Sequence, residues 1–218
     1  MKTIIITGVS RGIGLAIAEA FLAKDYQVLG TSTSGNSPLN HSNFECFPLS
    51  LNDSESIQTF YEAVQGYAID GLVNNAAILL ENWSQTTVDM NQLRQTFEVN
   101  VFGTVDLTEH ILPLLNTGSQ VISISSGWGT FSENGFDATV PHYKMSKTVL
   151  NMYIKLLAQR LTGRKITVSA VNPGWVRTDM GGGGAPVSPQ AVGRQIVDLF
   201  ENNTQSGHLW YNGAISEW

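Results

Sequence analysis

Tyr143 and Lys147 stand four residues apart at the head of a helically spaced stretch, so their side chains share a face, about 6 Å apart at Cβ. A tyrosine serves as an acid–base group when its ordinary value near 10 is brought toward the working pH. Reaching about 7 takes roughly 4 kcal/mol of preferential phenolate stabilisation, and a neighbouring ammonium is a suitable source. The pattern Tyr-x-x-x-Lys also arises as surface decoration, but this chain contains it once. Upstream, Ser123-Ile124-Ser125-Ser126-Gly127 closes an apolar run. A hydroxyl there could bind a carbonyl oxygen and the negative charge that grows on it.

A second chemical signal lies at the start. The run Ile4–Thr7 leads into Gly8-Val9-Ser10-Arg11-Gly12-Ile13-Gly14, and a helical pattern follows. A loop that brings main-chain N–H groups against a pyrophosphate cannot carry β-carbons at the contact points. The helix start behind it adds free N–H groups and a favourable dipole. The plain alternative is an ordinary glycine turn.

The elements that must position these groups alternate along the chain. Ile4–Thr7, Gln27–Gly30, Gly71–Asn74, Gln120–Ser125, Lys165–Val171 and His208–Tyr211 read as strands, several apolar on consecutive residues as parallel strands covered on both faces are. Gly14–Lys24, Ser54–Tyr67, Val88–Leu114, Tyr143–Leu161 and Pro189–Glu201 read as helices. In Tyr143–Leu161 the apolar positions Val149, Met152, Tyr153, Leu156, Leu157 and Leu161 define the expected inner stripe. Repeated β-α-β order implies an α/β fold: a doubly wound, mostly parallel sheet with helices on both faces, in a single domain spanning 1–218.

Composition narrows the rest. The 218 residues are 42% hydrophobic and 14% charged, a globular balance, and the net charge of −6 argues against nucleic acid or an anionic membrane as partner. The one cysteine, Cys46, allows no internal disulfide and reads as a small buried residue beside Phe44 and Phe47. His41, His110, His142 and His208 have no metal-ligand spacing, so no metal site is expected. His142 reads as a half-exposed residue at a helix start. No stretch reaches the length of a membrane span, and the apolar start is too short for a leader, so the expected address is the cytoplasm.

The sequence Thr7-Gly8-x-x-x-Gly12-x-Gly14 resembles the glycine motif of the short-chain dehydrogenase/reductase family, a Rossmann-type fold. Further motifs in family order extend the resemblance over the whole chain: Asn74-Asn75-Ala76-Ala77, Asn100, Ser126 with Gly129, Tyr143 with Lys147, and Pro173-Gly174 through Thr178. The resemblance implies hydride transfer between a nicotinamide dinucleotide and a carbonyl or alcohol, with Asn100, Ser126, Tyr143 and Lys147 catalytic. The family pattern Ser-x-x-Gly selects Ser126, with Ser125 structural. Ser126 precedes Tyr143 by 17 residues, more than is usual, and the added loop Trp128–Pro141 is expected to fold over the substrate. Asn100 would hold a water linking Lys147 to solvent, or simply cap or bend its helix.

For the cofactor, the resemblance implies contacts from Gly8, Ser10, Arg11, Gly12, Ile13, Gly14, Ser32, Thr33, Ser50, Leu51, Asn75, Ala76, Tyr143, Lys147, Pro173, Gly174, Val176 and Thr178. Ser50 replaces the usual aspartate and Ala77 the usual glycine. An NAD-binding unit places a carboxylate after its second strand, whereas Thr31-Ser32-Thr33-Ser34 offers only hydroxyls. With the cation of Arg11 nearby, this favours NADP(H) over NAD(H).

Finer details resemble C-factor and sniffer-type carbonyl reductases, and imply reduction of an aldehyde or ketone, or oxidation of the alcohol. Trp128, Phe131, Phe136, Trp175 and Met180 could line an apolar site, or be ordinary packing, beside the short lid Gly181–Gly184. The rival reading is an NADP(H)-binding sensor or signalling protein in which turnover is secondary. Helices Val88–Leu114 and Tyr143–Leu161 pair subunits in relatives, which implies a homodimer or homotetramer.

Overall fold

Eight strands hydrogen-bond into one sheet, in the order β3-β2-β1-β4-β5-β6-β7-β8. The structure, a computed structural model, describes residues 1–132 and 136–218. The strands are β1 (Thr3–Thr7), β2 (Gln27–Ser32), β3 (Phe44–Pro48), β4 (Ile69–Asn74), β5 (Leu115–Ile124), β6 (Thr167–Asn172), β7 (His208–Tyr211) and β8 (Ala214–Ser216). All pairs are parallel except β7 with β8. This is the expected doubly wound α/β fold. The strand order reverses between β1 and β4, so the chains leaving their carboxyl ends turn to opposite faces and open a crevice.

The consecutive isoleucines of β1 show why the central strands read as unbroken apolar runs. Ile4 and Ile6 join the core under α1 (Gly12–Leu22) and α6 (Pro189–Asn202), while Ile5 joins the core under α2 (Ser54–Val64) and α5 (Pro141–Leu161). Each face of the strand is covered, so both sets of side chains are apolar.

Two edge strands escaped the sequence reading. β3 lies outside β2 with its side chains half-buried or exposed, and β8 closes the other edge with three residues. Neither has the apolar continuity of a covered strand. Cys46 is accordingly half-buried rather than buried.

The expected single helix Val88–Leu114 is broken into α3 (Met90–Phe97), a π-helical stretch Glu98–Gly103, α4 (Thr104–Ile111) and a 3-10 turn Leu112–Leu114. The change of pitch has local causes. Gly103 is pressed so closely on Leu51 that a β-carbon would sit 1.8 Å from the Leu51 carbonyl oxygen. The Thr104 hydroxyl also donates to the Val99 carbonyl at 3.3 Å. Such π-turns are frequent at functional sites, and this one carries Asn100.

Helix α5 buries only part of the expected stripe, Leu157 and Leu161 with Tyr153 partly covered. Leu150, Ile154, Leu157, Ala158 and Leu161 face the sheet, whereas Val149, Met152 and Leu156 are exposed. His142 is fully buried, not half-exposed. The reason is non-local: the polar residues Ser146, Lys147 and Asn151 are drawn inward by partners on β5, the 3-10 turn at Gly127–Gly129 and the π-turn.

Substitution Gly103→Ala is expected to lower stability by about 2–3 kcal/mol, since a β-carbon there would collide with the Leu51 main chain rather than with the movable end of a side chain. Urea unfolding of the variant tests this; an unchanged midpoint would show that the π-turn does not depend on the close approach.

Candidate active site

The crevice between the carboxyl ends of β1 and β4 is built as a cradle. Gly8 and Gly12 have φ of +76 and +60. A β-carbon on Gly14 would lie 2.2 Å from the Gly8 carbonyl oxygen. Arg11 precedes α1 without any side-chain cap, which leaves the first-turn N–H groups facing the loop. Thr7 Oγ1 accepts from the N–H groups of Asn75 and Ala76 at 2.9 Å, and Asn75 Nδ2 donates to the Thr7 carbonyl at 2.8 Å. These bonds lock the ends of β1 and β4 together behind the loop.

A cleft of about 580 Å³ runs along this edge. It is lined by Gly8, Ser10, Arg11, Gly12, Ile13, Ser32, Thr33, Ser50, Leu51, Asn75, Ala76, Tyr143, Lys147, Pro173 and Thr178. Gly174 and Val176 line the adjoining cavity, and Gly14 packs behind the loop rather than on its surface. Not every polar group is free for a ligand. Ser32 Oγ donates to the Asn36 carbonyl at 2.8 Å, and Ser50 Oγ donates to Asn52 Oδ1 at 2.9 Å. Arg11 pairs with Asp179 across the mouth at 2.9 Å, both side chains largely in solvent. A glycine cradle, an open helix start and a long polar groove fit a dinucleotide.

The second cavity, of about 780 Å³, is walled by Leu79, Trp83, Trp128, Trp175, Met180 and Tyr211 with Ser125 and Ser126. Of the expected apolar lining, Trp128, Trp175 and Met180 are present. Phe131 and Phe136 are exposed, and Phe136 instead lies over Lys144. Trp83, not anticipated, meets Trp128 edge-on at 5.5 Å between centroids. The expected loop Trp128–Pro141 does border the cavity through Trp128, Thr130 and Ser132, and its residues 133–135 lie outside the described residues.

Tyr143 stands on the wall common to both spaces. Lys147 opens only on the cleft, and its Nζ lies 5.5 Å from the Tyr143 ring centroid. That Nζ donates to the Ile124 carbonyl at 2.8 Å, and burial pulls the ammonium down to about 8. Burial, and after it the negative charge of Glu81, push the Tyr143 phenol above its ordinary value. The direction is opposite to the one acid–base work near neutrality needs.

Both serines line the apolar cavity, but their hydroxyls are engaged differently. Ser125 Oγ donates to Asn151 Oδ1 and is buried, whereas Ser126 Oγ accepts from Trp128 N–H at 3.1 Å. Asn100 lines neither space. Its Oδ1 accepts from Ile78 N–H at 2.8 Å, and its Nδ2 donates to the Ile78 carbonyl at 2.8 Å and to Ser146 Oγ at 3.2 Å. Ser146 passes the connection on by donating to the Tyr143 carbonyl at 2.8 Å.

A family model described as short chain dehydrogenase matches residues 2–185. The chain belongs to the short-chain dehydrogenase/reductase family. It is 32% identical over 188 residues to the 3-oxoacyl-acyl-carrier-protein reductase FabG of Salmonella typhimurium, covering 82% of this chain and 75% of that one. It is also 32% identical over 156 residues to C-signal of Myxococcus xanthus, covering 69% and 93%. Carbonyl reductase Sniffer of D. melanogaster superposes over 100% of both chains with a TM-score of 0.90 and 27% identity. A short-chain dehydrogenase/reductase from Burkholderia multivorans with bound NADP superposes over 100% of this chain and 99% of its own, with a TM-score of 0.91 and 26% identity. Membership makes the chain an NAD(P)-binding oxidoreductase. No helix among the described residues is long and apolar enough to cross a membrane, and none of their His, Cys, Asp and Glu side chains cluster to hold a metal.

Lys147→Met gives a measurable consequence of the buried ammonium. Below about pH 8 the lysine is charged in both folded and unfolded chains, so its burial cost acts in full there and fades as pH rises toward 10.5. After allowance for the unpaired Ile124 carbonyl, the variant should be more stable at neutral pH by about 1–2 kcal/mol. Thermal melts across pH check this; a parent that melts higher at neutral pH contradicts it.

Proposed function

We propose that this protein is an NADP(H)-dependent reductase of an aldehyde or ketone, also able to oxidise the alcohol, working through Ser126, Tyr143, Lys147 and Asn100. The observation that carries the reading is the position of Tyr143, on the shared wall of a dinucleotide-shaped cleft and an apolar cavity. The nicotinamide supplies or accepts the hydride when the cofactor is bound.

The remaining steps fall to this chain's own groups. Ser126 holds the carbonyl oxygen from the cavity side and opposes the charge that grows on it. Tyr143 delivers its phenolic proton to that oxygen. Lys147 binds the nicotinamide ribose from the cleft side and stabilises the phenolate left behind. Asn100 has its amide fully engaged, so any water on the path from Lys147 to solvent is held by the main chain of the π-turn.

Preference for NADP(H) is supported by the absence of a carboxylate at Ser32 and Thr33 and by Arg11 at the cleft mouth. Arg11 must exchange Asp179 for a phosphate to act in this way. The tryptophan-rich cavity suits a carbonyl compound with an apolar body. The exposed stripe Val149, Met152 and Leu156 supports a homodimer or homotetramer, and light scattering measures it. A single cysteine and the lack of a spanning helix among the described residues support a cytoplasmic enzyme. Likeness to C-signal supports a second reading as a signalling protein in which turnover is secondary.

Tyr143→Phe is expected to lower carbonyl reduction by at least about 10³-fold and Ser126→Ala by about 10²-fold, with NADPH binding retained in both. NADPH consumption over a panel of aldehydes and ketones tests the activity; equal turnover by Tyr143→Phe and parent ends the mechanism. Fluorescence titration should show NADPH binding more tightly than NADH, and the reverse order would overturn the cofactor preference.

A further inference from the structure

The helix that carries Tyr143 begins without a cap of its own. The residue before it, Val140, has φ +46 and ψ +52 and offers no side-chain acceptor. A β-branched residue ahead of proline takes this left-handed conformation only when its surroundings hold it there. Val140 is fully buried and its N–H donates to the Gln85 carbonyl at 2.8 Å. The N–H of Tyr143 is met instead by Glu81 Oε1 at 3.0 Å, from a segment 62 residues earlier.

The same oxygen lies 3.0 Å from His142 Nδ1, and neither side chain reaches solvent. His142 Nε2 accepts the Asp89 N–H at 2.9 Å, so a neutral imidazole carries its proton on Nδ1, toward Glu81. The approach is poorly aligned: neither His142 Nδ1 nor Glu81 Oε2 has a hydrogen-bond partner among the described residues, so the contact is electrostatic. A buried carboxylate with one oxygen unpartnered is costly to keep and calls for a reason.

We propose that Glu81, held by His142, is a positioning residue for the proton donor, capping the catalytic helix and setting a negative charge against the backbone of Tyr143. This rests on Tyr143 being the donor. The charge keeps the phenol protonated in the resting protein, alongside the larger effect of burial. The proton then leaves the phenol only for a stronger acceptor, the substrate oxygen on which negative charge grows during reduction.

Other charges around Tyr143 do not substitute for it. The 3-10 turn and β6, packed on α5, carry no charged side chain. Arg94 and Glu98, on α3 and the π-turn, are exposed. On α5, Lys144 faces Asp137 at 2.6 Å, Lys147 faces Ile124, and Arg160 meets Glu109 of α4 at the far end. Asp89 reaches His142 through its main chain. Among the described residues Glu81 is the one buried acid.

The test is a titration of ultraviolet phenolate absorbance in the cofactor-free protein. The Tyr143 signal is the difference between each protein and the same protein carrying Tyr143→Phe. Glu81→Gln keeps an oxygen for the Tyr143 N–H and removes the charge, so the signal should move to lower pH by about half a unit or more. An unchanged titration overturns the proposal. The alkaline limb of carbonyl reduction should move the same way, with KM for the carbonyl compound unchanged. If Tyr143→Phe still reduces carbonyls, the donor assignment fails, while the absorbance titration continues to judge Glu81. Should Glu81→Gln not fold, His142→Leu removes the N–H that faces the carboxylate and should move the signal to higher pH; an unmoved or lowered signal overturns the proposal.

Discussion

Lys147 carries an ammonium into a place almost closed to water, against a single main-chain oxygen of β5. A charge so placed is stabilised poorly, and burial pulls it down to about 8, close to losing its proton near neutrality. The rest of the site is arranged around that constraint. The phenol of Tyr143 lies beside it, itself pushed up by burial, so the two groups together favour a neutral phenol next to a cation.

Holding this arrangement still requires connections that do not touch the reactants. Asn100 fastens the segment after β4 to α5 through Ile78 and Ser146, and Ser125 with Asn151 fastens the end of β5 to the same helix. The π-turn exists because Gly103 lets the chain press on Leu51, and Leu51 also lines the dinucleotide cleft. One close backbone contact therefore links the cleft wall to the residue that braces the donor helix. The two spaces share the wall that carries Tyr143, three residues after Val140, which is held in a left-handed conformation. Strain tolerated just before Tyr143 is paired there with buried polar contacts that fix its position.

The sequence determined the parts that depend on spacing alone. Four residues on a helix put Tyr143 and Lys147 on one face wherever the helix lies. The glycines at 8, 12 and 14 permit a close backbone approach that no other residue type would. Unbroken apolar runs marked the central strands because a strand covered on both sides must be apolar on both.

Tertiary structure decided whatever depends on which surface meets which. The edge strands β3 and β8 lack a covered face and so left little pattern. Val149, Met152 and Leu156 have core-like spacing, yet they face outward because Ser146, Lys147 and Asn151 have partners inside. That the Ser125 hydroxyl is taken depends on an asparagine 26 residues away, whereas Ser126, on the same cavity wall, accepts only from the nearby Trp128 N–H. Glu81 and His142 were invisible as a pair, because an acid in an apolar stretch and a histidine at a helix start acquire meaning only when the fold brings them into contact. Local order sets which groups a segment can present; long-range packing sets what those groups face.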